Sequence, residues 1–209
     1  MSHKKENISL FTQNFDDDFK NKVDWYNTHL NLMFLEVKDI QRDLFIFNTI
    51  QEIIEVRVNG EKRIKYSEIR ASMIGALPYK IILSLSKILI GKKEYSLYKT
   101  INSISQMEEF KHNEQIKNSI IEISKFLSGS KLVHDISIIR DQFFAHLDKE
   151  SVLTDFRIFP AFSLRYINDG EINQLKLLIA NLYESCYKSK LDIHNEKISK
   201  EKIIKCFFE

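Results

Sequence analysis

Glycine and proline are scarce, at five and two in 209 residues. A turn-rich β-protein needs far more of both, so that class is excluded and long helices with few breaks are expected. Cysteine is scarce as well. Cys186 and Cys206 form no CxxC pair and no metal spacing, so a disulfide framework and a structural zinc site are both excluded. The six histidines (3, 29, 112, 134, 146 and 194) are scattered, and no acidic cluster repeats at ligand spacing. No metal and no other cofactor is therefore expected. No apolar run reaches the roughly 18 residues a membrane span requires. The opening MSHKKENISLF lacks the apolar stretch of a signal peptide, and the expected location is the reducing cytoplasm. Charge of one sign is also lacking. The net charge of +2 is too small to mark a nucleic-acid binder. From Lys80 to Lys131, however, nine lysines face five glutamates. That excess fits either a solvated helix face or a footprint for a phosphate backbone.

What is present is helical periodicity. Residues 1–15 read as a flexible lead-in, and residues 16–209 as one domain. The acidic run Asp16–Asp18 suits a helix start, where carboxylates complement the positive dipole end. Leu32, Leu35, Ile40, Leu44, Phe47, Ile50 and Ile54 recur at steps of three to five. They predict one long helix to about Val58, or two with a break near Asn27–His29. The Asn59–Lys62 turn leaves a hairpin open as an alternative there. A second helix follows from a Ser67 cap to Ile90, kinked at Pro78 and stopped by Gly91. Ser96–Ser105 and Glu108–Leu127 predict two more. Ser128–Ser130 then caps a helix from Lys131 to about Asp148. Asp169-Gly170 opens another to about Lys190, and ISKEKIIKCFFE closes the chain as a short helix. The fold class is all-α: a bundle of five or six main helices with up-and-down connections.

Arg140 sits badly in this pattern. At ~100° per residue, with Ile136 at zero, Leu132, Val133, Ile139, Phe143, Phe144 and Leu147 fall within about 80° of it. Arg140 falls about 40° away, inside that arc, and His146 about 80° away, at its edge. Asp141 and His134 lie on the wet side. A guanidinium cannot shed its charge, and burying it unpaired costs several kcal/mol. Either a carboxylate such as Glu36 or Glu52 pairs with it, or it snorkels from the face, or that face lines a cleft or subunit interface where an anion can reach it.

The segment RDQFFAH, Arg140 to His146, resembles the Arg-x(4–6)-His motif of HEPN domains, with a polar residue, Asp141, after the arginine. The longer string IRDQFFAHLDKE resembles the AbiU-like abortive-infection proteins, as does LPYKIILSLSKILIG at Leu77–Gly91. The resemblance implies a HEPN-like bundle and a metal-independent endoribonuclease, toxin-like and active in phage defence. It further implies RNA as substrate, an antitoxin as partner, and a homodimer formed through the Arg140–His146 helix.

On that reading the catalytic residues are Arg140, His146 and Asp141. Metal-free cleavage makes the ribose 2′-OH attack its own phosphodiester. Histidine, with a pKa near 6.5, suits the proton transfers. Arginine's planar fork suits the charge on phosphorus, and Asp141 would orient a side chain or bind backbone. Arg140 and His146 are about 120° and ~9 Å apart on an ideal helix, so two subunits or a distorted helix end would have to join them. The alternative is a non-catalytic dimerisation or nucleotide-binding module that keeps the motif for packing. Tyr79, Lys80, Lys87 and Tyr98 could line a nucleic-acid path, outside the catalytic set.

Overall fold

A computed structural model describes residues 22–59, 68–91, 95–147, 167–194 and 198–208. Seven helices and no strand stand among them: α1 (Lys22–Asn59), α2 (Glu68–Leu89), α3 (Leu97–Ser105), α4 (Glu114–Gly129), α5 (Lys131–Leu147), α6 (Asp169–Tyr187) and α7 (Lys200–Phe208). The protein is all-α, with seven helices where five or six main ones were expected; α3 and α7 have only nine residues each. The lead-in, the Asp16–Asp18 start, the Ser67 cap and most of the Asn59–Lys62 turn lie outside the described residues.

The axis of the fold is α1, one unbroken helix of 38 residues. No break occurs at Asn27–His29, and the helix runs to Asn59 through the start of the candidate hairpin. Its buried stripe is Leu30, Met33, Phe34, Val37, Ile40, Leu44, Phe47 and Ile50. Two residues assigned to that stripe from the sequence, Leu32 and Leu35, are exposed. The correction is geometric. Leu35 lies about 140° round the helix from Ile40, on a side that no described helix covers. Each large side chain that is fully buried contributes about 1.5–3 kcal/mol, so this stripe organises the core.

Around it pack α6, α2 and α7, with lesser contacts to α3; α4 packs on α6, and α5 packs on α2. Helix α2 continues through Pro78 as one element, and its Ile81, Ile82, Leu85 and Ile88 are buried. It ends where Ile90 and Gly91 both donate to the Ser86 carbonyl, at 3.0 and 3.1 Å. A Cβ on Gly91 would stand 2.8 Å from the Lys87 carbonyl oxygen, so the stop signal read from the sequence has a steric cause. Helix α3 starts on a Ser96 cap whose Oγ accepts from the Lys99 N–H. The fourth helix starts at Glu114, later than the expected Glu108. Asn113 caps it by accepting from the Gln115 and Ile116 N–H groups, while the chain before it turns on Met107 and Phe110.

Helix α6 buries Leu175, Leu178, Ile179, Leu182 and Tyr183, as its periodicity requires. It stops at Tyr187, before the expected Lys190, because Lys188 takes the left-handed conformation (φ 55°, ψ 22°) and donates its N–H to the Glu184 carbonyl at 2.9 Å. A side chain other than glycine is disfavoured there. Lys188→Gly should raise stability by about 1 kcal/mol, a gain of about 2–4 °C in Tm for a chain of this size. Thermal melts of the two proteins test this, and a lower Tm for the variant would refute the cap assignment.

Candidate functional site

Helix α5 carries Arg140, Asp141 and, in its last turn, His146. Two neighbours hold the helix. Leu132, Ile136 and Ile139 are buried, and the helix packs mainly on α2. Its N-terminus is closed by a residue from another helix. Glu171, in the first turn of α6, accepts from the Leu132 N–H at 3.2 Å and from the Ser130 hydroxyl at 2.9 Å, both on Oε1. Ser130 in turn accepts from the Val133 N–H at 3.3 Å. A carboxylate at a helix N-terminus satisfies orphan N–H groups and complements the dipole. Glu171 was not singled out from the sequence.

Among the described side chains of α5, Leu132, Ile136 and Ile139 are the buried ones. Val133 and Arg140 lie on the flank of that face, and both are half-buried. The guanidinium is therefore not in the core: the Arg140 side chain is 29 % exposed. Its Nε and Nη2 donate to Oδ1 of Asp141, at 2.8 and 2.6 Å. Asp141, 64 % exposed, stands on the wet side as expected, and so does His134. The two glutamates considered as buried partners are engaged elsewhere. Glu36 meets Lys87 at 3.8 Å and Glu52 meets Lys200 at 2.7 Å. Asp141 engages two of the five N–H donors of an arginine, in a partly wet pair of the kind worth roughly 0–1 kcal/mol. The structure thus brings Arg140 and Asp141 together. The side chains of Phe143, Phe144, His146 and Leu147 lie outside the described residues.

The residues considered for a nucleic-acid path have separate fates. Lys80 donates to the buried Asp43 at 2.5 Å. Lys87 lies 3.9 Å from the centroid of the Tyr95 ring, beside Glu36. Both lysines tie α2 to α1. Lys111 and Lys117 pair with Glu108 and Glu114 on their own stretches of chain, so much of the lysine excess is a solvated, paired surface. Burial raises the Tyr79 phenol, whereas Tyr98 is exposed. Among the described residues no three His, Cys, Asp or Glu side chains converge as metal ligands, and no helix is long and apolar enough to cross a membrane.

Neither cysteine belongs to the α5 site. Burial pushes the Cys186 thiol up to about 12, while Cys206 is exposed on α7. No family model, curated protein or solved structure matches this chain.

Glu171→Ala should cost about 1–2 kcal/mol by uncapping α5, and Glu171→Gln, which keeps an acceptor, should cost less. Denaturant melts of the three proteins decide, and no loss in either variant would contradict the capping role. In the native protein near pH 8, a thiol reagent should label Cys206 rapidly and Cys186 slowly. A thiol held at about 12 is almost wholly protonated at that pH and gains reactivity only as the pH rises. Equal labelling rates at the two positions would refute this.

Proposed function

We propose that this chain is a HEPN-type, metal-independent endoribonuclease of the AbiU-like kind, acting in phage defence. The observation that carries the reading is the Arg140 guanidinium, held on the flank of α5 by one mostly exposed carboxylate, Asp141, among the described residues. A phosphodiester can replace that carboxylate at small cost, because an exposed ion pair contributes little and arginine's fork matches phosphate geometry. In this reading His146, on the turn after Arg140, accepts the 2′-OH proton as the O2′–P bond forms. The P–O5′ bond breaks, the leaving oxygen takes up a proton, and a cyclic phosphate remains. Arg140 stabilises the charge on phosphorus, and Asp141 orients Arg140. The proposed assembly is a cytoplasmic homodimer joined through the Arg140–His146 helix, with RNA as substrate and an antitoxin as its controlling partner.

A second reading has its own support. Arg140 already has a protein partner, and Ile138 is exposed on the outer side of the same helix. A non-catalytic dimerisation or nucleotide-binding module would use both for assembly.

RNA cleavage measured with chelator present separates the two. Arg140→Ala and His146→Ala should each lower the rate about 100-fold or more, with melting temperature and elution volume unchanged. Equal rates in wild type and both variants would sink the nuclease reading. A loss of dimer in Arg140→Ala would favour the assembly module.

A further inference from the structure

Of the six described tyrosines, five are buried or half-buried and one is held out in water. That one is Tyr98, in the first turn of α3 and 59 % exposed. Its helix divides sharply into two faces. Leu97, Thr100, Ile101 and Ile104 are buried. With Tyr98 at zero, Asn102, Gln106 and Lys99 fall within about 100° on the other side. This polar arc does not face open solvent alone. It forms one wall of a groove of about 640 Å³, whose apolar floor is Leu89 and Ile90 from the end of α2 and Leu127 from α4.

The groove therefore combines an apolar floor, one exposed aromatic ring, two side-chain amides and one ammonium. A nucleobase matches that set. It has flat faces that stack on an aromatic ring, and edges that need both donors and acceptors, which each amide supplies. The attached phosphate needs a cation, and Lys99 adjoins Tyr98 in sequence. We propose that this groove is a subsite for one unpaired nucleotide of a single-stranded RNA, with the base laid on Tyr98 and the phosphate met by Lys99. The proposal rests on the RNA reading above for the identity of the ligand, but not on the α5 chemistry.

The test is binding of a short, unstructured, fluorescently labelled RNA to the full chain, followed by anisotropy. The reference protein carries His146→Ala so that the RNA stays intact. Adding Tyr98→Ala should weaken binding about ten-fold, within the range of one lost stacking contact, while Tyr98→Phe should leave it nearly unchanged. Lys99→Gln should flatten the dependence of log affinity on log salt by about 0.7, the value for one single-strand phosphate contact. The Asn102→Ala/Gln106→Ala pair should narrow the difference in affinity between RNAs of different base composition. Unchanged affinity in Tyr98→Ala overturns the groove. If wild type still cleaves RNA in that case, the nuclease reading survives alone. Tyr98-dependent binding by a wild type that does not cleave leaves the groove standing and removes the nuclease. A reference protein that does not bind RNA overturns both, and leaves the groove as a seat for a protein loop.

Discussion

A buried carboxylate on α1 fixes where the second helix lies. Asp43 is almost wholly buried, and an unpaired charge there would cost several kcal/mol. Lys80 from α2 reaches it at 2.5 Å and Arg42 at 3.5 Å. A second tie joins Glu36 to Lys87. Position rises along α2 as it falls along α1, so the helices run antiparallel. Two ties seven residues apart in each chain segment fix register as well as direction. That register sets Ile81, Ile82, Leu85 and Ile88 into the core. Hydrophobic burial supplies most of the free energy, but apolar side chains tolerate sliding. The ion pairs penalise a slip, because it would cost the buried Asp43 its shorter partner, Lys80, and leave it only the 3.5 Å contact to Arg42.

The position of Arg140 follows from that registry. Among the described residues helix α5 packs mainly on α2, so it is placed relative to α1 through an intermediate layer. The other fixed point of α5 is its N-terminus, gripped by Glu171 from α6. Both supports act on the first two-thirds of the helix, through Leu132, Ile136 and Ile139. Arg140 comes just beyond the last of them. The half-buried Arg140 thus follows directly on the buried Ile139 along the helix. This answers the question raised by its place in an apolar arc. The guanidinium lies on the flank of the described buried face, 29 % exposed and paired with Asp141, rather than in the core.

That outcome shows what periodicity can reveal. Helix limits were legible at Ser96, Ser130 and Gly91, though the Asn113 cap of α4 was passed over for Glu108. They were misjudged where the signal was conformational: Lys188 ends α6 with a positive φ that no lysine advertises. Apolar faces were legible on α6, where every position expected to be buried is buried. On α1 the expected stripe drifted onto Leu32 and Leu35, because spacing gives the azimuth of each side chain but not which azimuths a neighbour covers. The same limit applied to Arg140. Its candidate partners were sought at long range, in Glu36 and Glu52, while the carboxylate that holds it is the next residue. Adjacent residues on a helix lie about 100° apart, and the long, bending arginine side chain closes that gap with two hydrogen bonds.

The adjacency also bears on what such a pair can do. A carboxylate fixed to the same helix turn orders the guanidinium before any ligand arrives, so a phosphate would bind a fork that has already lost much of its rotamer freedom. It competes with that phosphate too, yet weakly, since Asp141 is largely wet and regains hydration when released. A partner buried like Asp43 could not be released so cheaply. On the described chain Arg42 pairs with the exposed Asp39 at 2.9 Å and with the buried Asp43 at 3.5 Å, and Arg140 pairs with Asp141; the contact to buried Asp43 suits a permanent brace and the one to Asp141 an exchangeable one. That difference in burial, rather than the presence of arginine in a motif, is what the proposed anion site on α5 rests on.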